Sequence, residues 1–357
     1  MEQRTGLKQW TVLAALLLVL AACADGTVTD TTEAVTEEEQ LQSVRLLIPF
    51  PEGLAWPGLM VAMDRYYEEE GLDVELIPVD GSSLVLSQLI SGQEKFGVVV
   101  AADVLVANSR GAELRSVAPL DTDVFTIVTL VDSDIQTFED LRGGSLGITS
   151  PSGGEAALVN AVLESSGFGD EVELVPVGDA GPASFDALDS GRVDAYAAGF
   201  PDLAGLQNLG MEFREILPEV FSSVPTDVLA ATEETLANET DREIAIKLAR
   251  GWLKGTVFTE ANPEATLAIG CERVPEECTD MDGARSFLDA AVESVAIPEG
   301  TMPGTNEVAK WEVIKESLAF ADLEGDVDVA EAAPDDFVDE VSDFDIAAVQ
   351  AEARAAP

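Results

Sequence analysis

From residue 43 onward, short β-rich apolar runs alternate with longer stretches of helical period. Residues 44–48 predict a strand, 59–70 a helix closed by Gly71, and 74–78 a second strand. Residues 84–90 read as a helix stopped by Gly92, 96–100 as a strand, 104–108 as a short helix and 114–118 as another strand. This βαβαβ order argues for an α/β domain with a mostly parallel sheet. A second set starts at Phe125, with strands at 125–130, 145–148, 172–177, 193–197 and 213–217. Helical segments at 137–141, 156–165 and 184–188 lie between them. After a strand at 228–231 only helices follow, at 241–260, 263–269, 282–294 and 308–321. Asp241 and Asn262-Pro263 are ordinary helix starts.

Two α/β units in tandem, with helices at the end, have one natural arrangement. The second unit is inserted in the first, and the chain returns to the first after about Thr226. Residues 43–124 plus 227–346 then form one lobe and 125–226 the other. The two crossings make a hinge, and the cleft between the lobes is the place for a ligand. The acidic stretch from Ala332 carries Phe337, Val338, Phe344 and Ile346 as docking positions, and 347–357 are expected to form a flexible tail.

The N-terminus carries an address. Arg4 and Lys8 precede an apolar run over 10–22, too short to span a bilayer but of signal-peptide length. It ends in Leu20-Ala21-Ala22-Cys23, which resembles the lipobox of bacterial lipoproteins. That resemblance implies removal of 1–22 as a signal peptide and a diacylglycerol on the Cys23 sulfur. The expected location is extracytoplasmic, anchored to the membrane by lipid. Residues 23–42 are rich in Thr and Glu and lack aromatics, so they read as a disordered linker.

Charge and cysteine use narrow the function. The chain holds 68 acidic and 19 basic residues, a net charge of −49, so a nucleic acid backbone would be repelled. An acidic surface of this kind keeps a protein soluble in a salty medium. Individual acidic residues are therefore weak markers of a site. With Cys23 lipidated, Cys271 and Cys278 remain, and an oxidising compartment favours a disulfide between them. Two reduced thiols or half a metal site is the alternative, but the chain has no histidine to complete a metal site. No metal and no cofactor are expected.

Several segments, in order, resemble the solute-binding proteins of ABC importers, in the branch that binds taurine, alkanesulfonates, nitrate and thiamine-pyrimidine precursors. The first are Ala62 with Tyr66-Tyr67-Glu68-Glu69-Glu70-Gly71-Leu72-Asp73-Val74, Leu89-Ile90-Ser91-Gly92-Gln93, and Phe96-Gly97-Val98. The others are Asp132-Ser133, Thr137-Phe138-Glu139-Asp140-Leu141-Arg142-Gly143, and Ser190-Gly191-Arg192-Val193-Asp194-Ala195-Tyr196. The likeness spans roughly residues 43–344. It implies the type II periplasmic-binding-protein-like fold, a monomeric receptor, a small-molecule ligand and an ABC permease as partner. Asp140 and Arg142 turn a helix into a strand, and Tyr66 and Tyr67 suit packing; none is assigned to the ligand.

Candidate ligand residues come from loops at the C-terminal ends of strands, where α/β sheets leave a crevice. The loop after the first strand carries Phe50 and Trp56, the latter either a stacking wall or a cap on the core. Ser82 and Ser83 either cap a helix or touch ligand, and Asp103 has the same two options. Thr149-Ser150-Pro151-Ser152-Gly153-Gly154-Glu155 enters a helix, and its free N–H groups and glycines (Ser150, Ser152, Gly153, Gly154) suit an anion unless Ser152 is only a cap. Glu155 in the first turn competes with an anion there. Phe200 and Asp202 from the far lobe and Thr226 at the return crossing complete the set. None of the four first-named loops holds Lys or Arg, which favours a neutral or cationic nitrogen heterocycle such as an aminopyrimidine over a sulfonate or nitrate. An enzyme is the rival class. The chain has no Gly-x-Ser-x-Gly elbow with a histidine to serve it, since it has no histidine, and no carboxylate pair stands out.

Overall fold

Val44, Leu46 and Ile48 bury one face of the first strand while Leu47 buries the other. A strand apolar on both faces belongs inside a covered sheet. The computed structural model describes residues 41–357 except 123, 152–154, 223, 296, 298–299 and 319–322. The expected leader, Cys23 and the linker to residue 40 lie outside the described residues, as do Ser152, Gly153 and Gly154. The linker was expected to reach residue 42, yet the first strand already begins there.

The chain opens with β1 (Gln42–Ile48), α1 (Pro57–Val61), a π-helical turn (Ala62–Tyr66), α2 (Tyr67–Glu69), β2 (Leu72–Pro78) and α3 (Ser82–Ile90). β3 (Gly97–Val100), α4 (Ala101–Ser109) and β4 (Leu114–Pro119) follow. Next come β5 (Phe125–Leu130), β6 (Ser145–Ile148), α5 (Ala156–Ser166), β7 (Glu173–Pro176), α6 (Pro182–Asp189), β8 (Ala195–Gly199), α7 (Phe200–Asn208) and β9 (Phe213–Glu215). The last part holds β10 (Asp227–Thr232), α8 (Glu233–Leu236), α9 (Glu239–Ala261), α10 (Pro263–Arg273) and α11 (Met281–Val295). It ends with α12 (Val308–Leu318), α13 (Val329–Ala332), α14 (Val338–Val341) and α15 (Ile346–Ala355).

Two five-stranded sheets result, ordered β2-β1-β3-β10-β4 and β7-β6-β8-β5-β9. β10 returns to the first sheet between β3 and β4 and runs antiparallel to both, so the second unit is inserted in the first. In the second sheet β5 is antiparallel to β8 and β9. Each sheet is therefore mixed, with its parallel strands joined by helices.

Both faces of each sheet are covered. Trp56 and Trp252 pack with Leu46 and Leu59 on one face of the first sheet, and Trp311 with Val99 and Val104 on the other. α9 crosses α1 so closely that a Cβ on Gly255 would lie 2.0 Å from the Gly58 carbonyl oxygen. The two lobes also touch outside the crossings. α11 packs on α7 and α12 on α5, with Phe287 and Phe200 5.6 Å apart between ring centroids.

Two segments differ from expectation. Phe200-Pro201-Asp202 is the first turn of α7 and not a loop, because Gly199 supplies the extended N-cap and Pro201 suits the first turn. The tail over 347–357 does not fray: α15 is capped by Asp345, which accepts from Ala348 N–H at 3.0 Å. Val349 and Ala353 are buried, and Tyr66 donates its hydroxyl hydrogen to Glu352 at 3.2 Å.

Candidate functional site

The strand ends converge on the hinge. Asp227, the first residue of β10, pairs with Val100, the last of β3. In the second sheet Phe125, the first residue of β5, pairs with Gly199, the last of β8. The C-terminal ends of both sets of parallel strands therefore face the crossings, where a bilobal α/β chain binds its ligand.

Phe50 and Trp56 form the aromatic part of the first lobe's rim. Their rings stack with centroids 4.5 Å apart, and Trp56 meets Trp252 edge-on at 5.6 Å. Trp56 is 3 % exposed and belongs to the core, whereas Phe50 is 41 % exposed. Of the two sequence readings of Trp56, its position matches the core cap. Phe50 is the ring with a free face.

Polar residues of this lobe sit beside it. Ser82 and Ser83 start α3 after Gly81, whose φ of 89° needs a glycine. Ser82 Oγ accepts from the Val100 N–H at 3.1 Å and also bonds the Asp103 carboxyl, so it fastens α3 to α4. Ser83 is exposed. Asp103 lies in the first turn of α4, because that helix begins directly at Ala101. Burial pushes its carboxyl above the ordinary carboxylate range, against the pull of the Ser82 hydrogen bond. Thr226 is buried in the return crossing, where its carbonyl accepts from Ala101 N–H at 2.7 Å.

The second lobe presents carboxylates as well. Glu155, 1 % exposed, folds back from the start of α5 to accept from Thr149 N–H and Oγ, each at 2.8 Å. A negative charge therefore sits where an anion would use the helix start, and Ser150 lies half-buried in the same loop. Asp202 accepts from Ala180 N–H at 2.7 Å. Burial raises its carboxyl, offset by that hydrogen bond, with Asp179 and Glu155 adding repulsion. Tyr196, between them, donates to Gly178 O at 2.9 Å, and burial foremost pushes its phenol well up.

Three of the residues around the hinge escaped the sequence reading: Asp121, Asp179 and the paired state of Asp227. In so acidic a chain no pattern sets them apart. A small cavity of about 50 Å³ also lies at the hinge, lined by Leu120, Asp121, Thr122 and Pro225, by Leu253 of α9 and by Lys310 of α12. None of the residues singled out from sequence lines it. Cys271 and Cys278 are joined by a disulfide. Among the described residues no His/Cys/Asp/Glu group has the arrangement of a metal site.

Comparison with known proteins places this geometry. The chain is 24% identical over 316 residues to the formylaminopyrimidine-binding protein of Halalkalibacterium halodurans, covering 86% of this chain and 92% of the relative. It is 30% identical over 98 residues to the 4-amino-5-hydroxymethyl-2-methylpyrimidine phosphate synthase of Schizosaccharomyces pombe, covering 27% and 28%. The fold is shared with a putative periplasmic sulfonate-binding protein of an ABC transporter from Methylobacillus flagellatus. The TM-score there is 0.58 at 19% identity, covering 88% of this chain and 96% of that one. The family model described as NMT1/THI5 like matches residues 56–266, from Trp56 at the rim through both crossings to α10, and the chain belongs to that family.

Proposed function

We propose that this chain is the extracytoplasmic solute-binding receptor of an ABC importer, and that its ligand is a neutral or cationic nitrogen heterocycle of the aminopyrimidine class. One observation carries the ligand class. The strand ends that meet at the hinge carry carboxyls on both sides, Asp103 on one and Glu155, Asp179 and Asp202 on the other, and their loops contribute no Lys or Arg. Such walls accept hydrogen bonds from amino and ring N–H groups and repel anions. The exposed face of Phe50 supplies a stacking surface for a planar ring. The relative named for formylaminopyrimidine binding supports the same class.

The mechanism is capture without chemistry. Lobes made by 43–124 plus 227–346 and by 125–226 close about the crossings, Phe50 stacks on the ring, and Asp103 and Asp202 receive its N–H groups. A permease then takes the ligand. Lipid on Cys23 would keep this monomeric receptor near its permease, raising local concentration. The absence of any histidine removes the commonest general base, and the synthase-named relative aligns over a quarter of the chain only. Among the described residues no helix is long and apolar enough to cross a membrane.

Thermal unfolding with 4-aminopyrimidines, taurine and nitrate tests the reading. A ligand at about 100 times its dissociation constant adds about 2.7 kcal/mol. Stabilisation by aminopyrimidines alone is expected. Stabilisation by taurine or nitrate alone would replace the ligand class, and turnover of any of these compounds would replace the receptor.

A further inference from the structure

Two carboxyls meet where the outgoing and returning crossings run side by side. Asp121 follows β4, and Asp227 opens β10. The Asp227 N–H donates to Asp121 Oδ1 at 2.7 Å, the Thr226 N–H to Asp121 O at 3.2 Å, and the Leu120 N–H to Asp227 O at 2.9 Å. Asp121 is 8 % and Asp227 7 % exposed, and their carboxyls lie within hydrogen-bonding reach of each other. Ionised carboxylates only accept, so a bond between two of them needs a proton on one. We infer that Asp121 and Asp227 share a single proton, and that this proton clasps the two crossings and makes the spacing of the lobes depend on pH.

The surroundings favour keeping the proton into mildly acidic solution. Burial above all, with repulsion from Asp103 on α4, pushes Asp227 up to about 6, against the pull of the Asp121 hydrogen bond. On the other side of Asp121, Glu307 and Lys310 border the hinge cavity, and Lys310 donates to the Ser222 carbonyl at 2.9 Å. α3, which packs on β10, brings no charged residue, and Glu233 and Glu234 of α8 sit at the other end of that strand. Once the proton leaves, two buried like charges face each other with Asp103 close by, and the crossings must spread or take in water to relieve them. The pair acts on lobe position and touches no ligand, so the inference stands apart from the ligand proposed above.

The test uses the full chain without ligand between pH 5 and pH 8. Infrared spectroscopy reads the buried protonated carboxyl, and small-angle scattering reads lobe separation. In the wild type, part of the protonated-carboxyl band should vanish as pH rises past about 6, and the lobes should separate over the same range. In D227N and in D121N that part of the band should be absent and the lobe spacing insensitive to pH. General repulsion of so acidic a chain is nearly unchanged by one substitution, so it cannot mimic this difference. If neither variant folds, D103N and D202N, which remove the other raised carboxyls near the hinge, take their place: the wild-type response should persist in both, and its loss in both would overturn the clasp. A wild-type band or lobe spacing that stays constant over this range would also overturn it, as would D227N or D121N retaining the wild-type response.

Discussion

Glu277 accepts the backbone N–H of Leu54 at 2.7 Å, although 223 residues separate them. Arg273 pairs with Glu52 from the same side. Both anchors lie within the short loop closed by Cys271 and Cys278, and both hold the β1–α1 loop that carries Phe50 and Trp56. The disulfide thus reaches the ligand rim through two contacts. Closing so short a loop stabilises a fold by about 2–3 kcal/mol. C271S/C278S, or reduction, should lower the unfolding free energy by about that amount and also weaken ligand affinity. Denaturant titration with calorimetry reads both, and unchanged affinity would show that the anchors hold without the bond.

The neighbouring rings Phe50 and Trp56 should respond oppositely to truncation. Phe50 is the exposed partner of the stack and Trp56 the buried one. F50A should leave the thermal midpoint nearly unchanged and reduce aminopyrimidine affinity about tenfold, a stacking contribution of the usual size. W56A should cost about 3–5 kcal/mol by opening a cavity against Trp252. If W56A instead leaves stability intact and removes binding, the ligand touches Trp56 and the roles exchange.

This reversal shows what the sequence holds and what it hides. Apolar runs such as Val44 to Ile48 and Phe125 to Leu130 placed the strands, and the strand at 228–231, followed only by helices, placed the return to the first sheet. Trp56 followed by Pro57 read as a loop residue, and only tertiary packing against Trp252 buries it. α7 was missed because Pro201 looks like a loop residue and yet suits a helix start. Asp121 and Asp179 were invisible for a different reason. Asp121 is set apart only by its burial and Asp179 only by its nearness to Asp202, and among 68 acidic residues no spacing signals either.

Gly255 should tolerate no side chain. Its Cβ would overlap the Gly58 carbonyl, which is backbone and cannot swing aside. G255A should therefore cost about 1–3 kcal/mol despite the higher helix propensity of Ala. The shift of α1 should also move Trp56, so the near-ultraviolet circular dichroism of the tryptophans should change. Gain of stability, with an unaltered spectrum, would mean the helices separate freely.

Asp202 gives a pH dependence whose sign can be worked out. Burial foremost raises its carboxyl, so the fold prefers the protonated form. Its contribution is fully present below the unfolded carboxylate value, falls as pH rises toward the raised folded value, and stays low above it. D202N, neutral at every pH, escapes that fall while its amide oxygen can still accept from Ala180 N–H. The stability of D202N relative to wild type should therefore increase from pH 4 to pH 8 in urea titrations. A gap independent of pH would mean that Asp202 is ionised without penalty.

The C-terminal helix offers the most direct check of the architecture. α15 packs on α9, with Val349 and Ala353 buried, and its Glu352 accepts from both Tyr66 and Arg65, the latter at 3.2 Å. Asn262, which caps α10, donates to the Ala353 carbonyl at 2.8 Å. Truncation after Asp345 removes these contacts together, uncovering apolar surface around Phe258 and leaving the Tyr66 hydroxyl to solvent. The buried Val and Ala side chains and the lost hydrogen bonds amount to about 3–4 kcal/mol. The hinge lies elsewhere, so the truncated chain should bind ligand with wild-type affinity at low temperature and unfold at a lower midpoint. An unchanged midpoint would mean the helix adds no stability, and lost affinity at low temperature would tie α15 to the cleft.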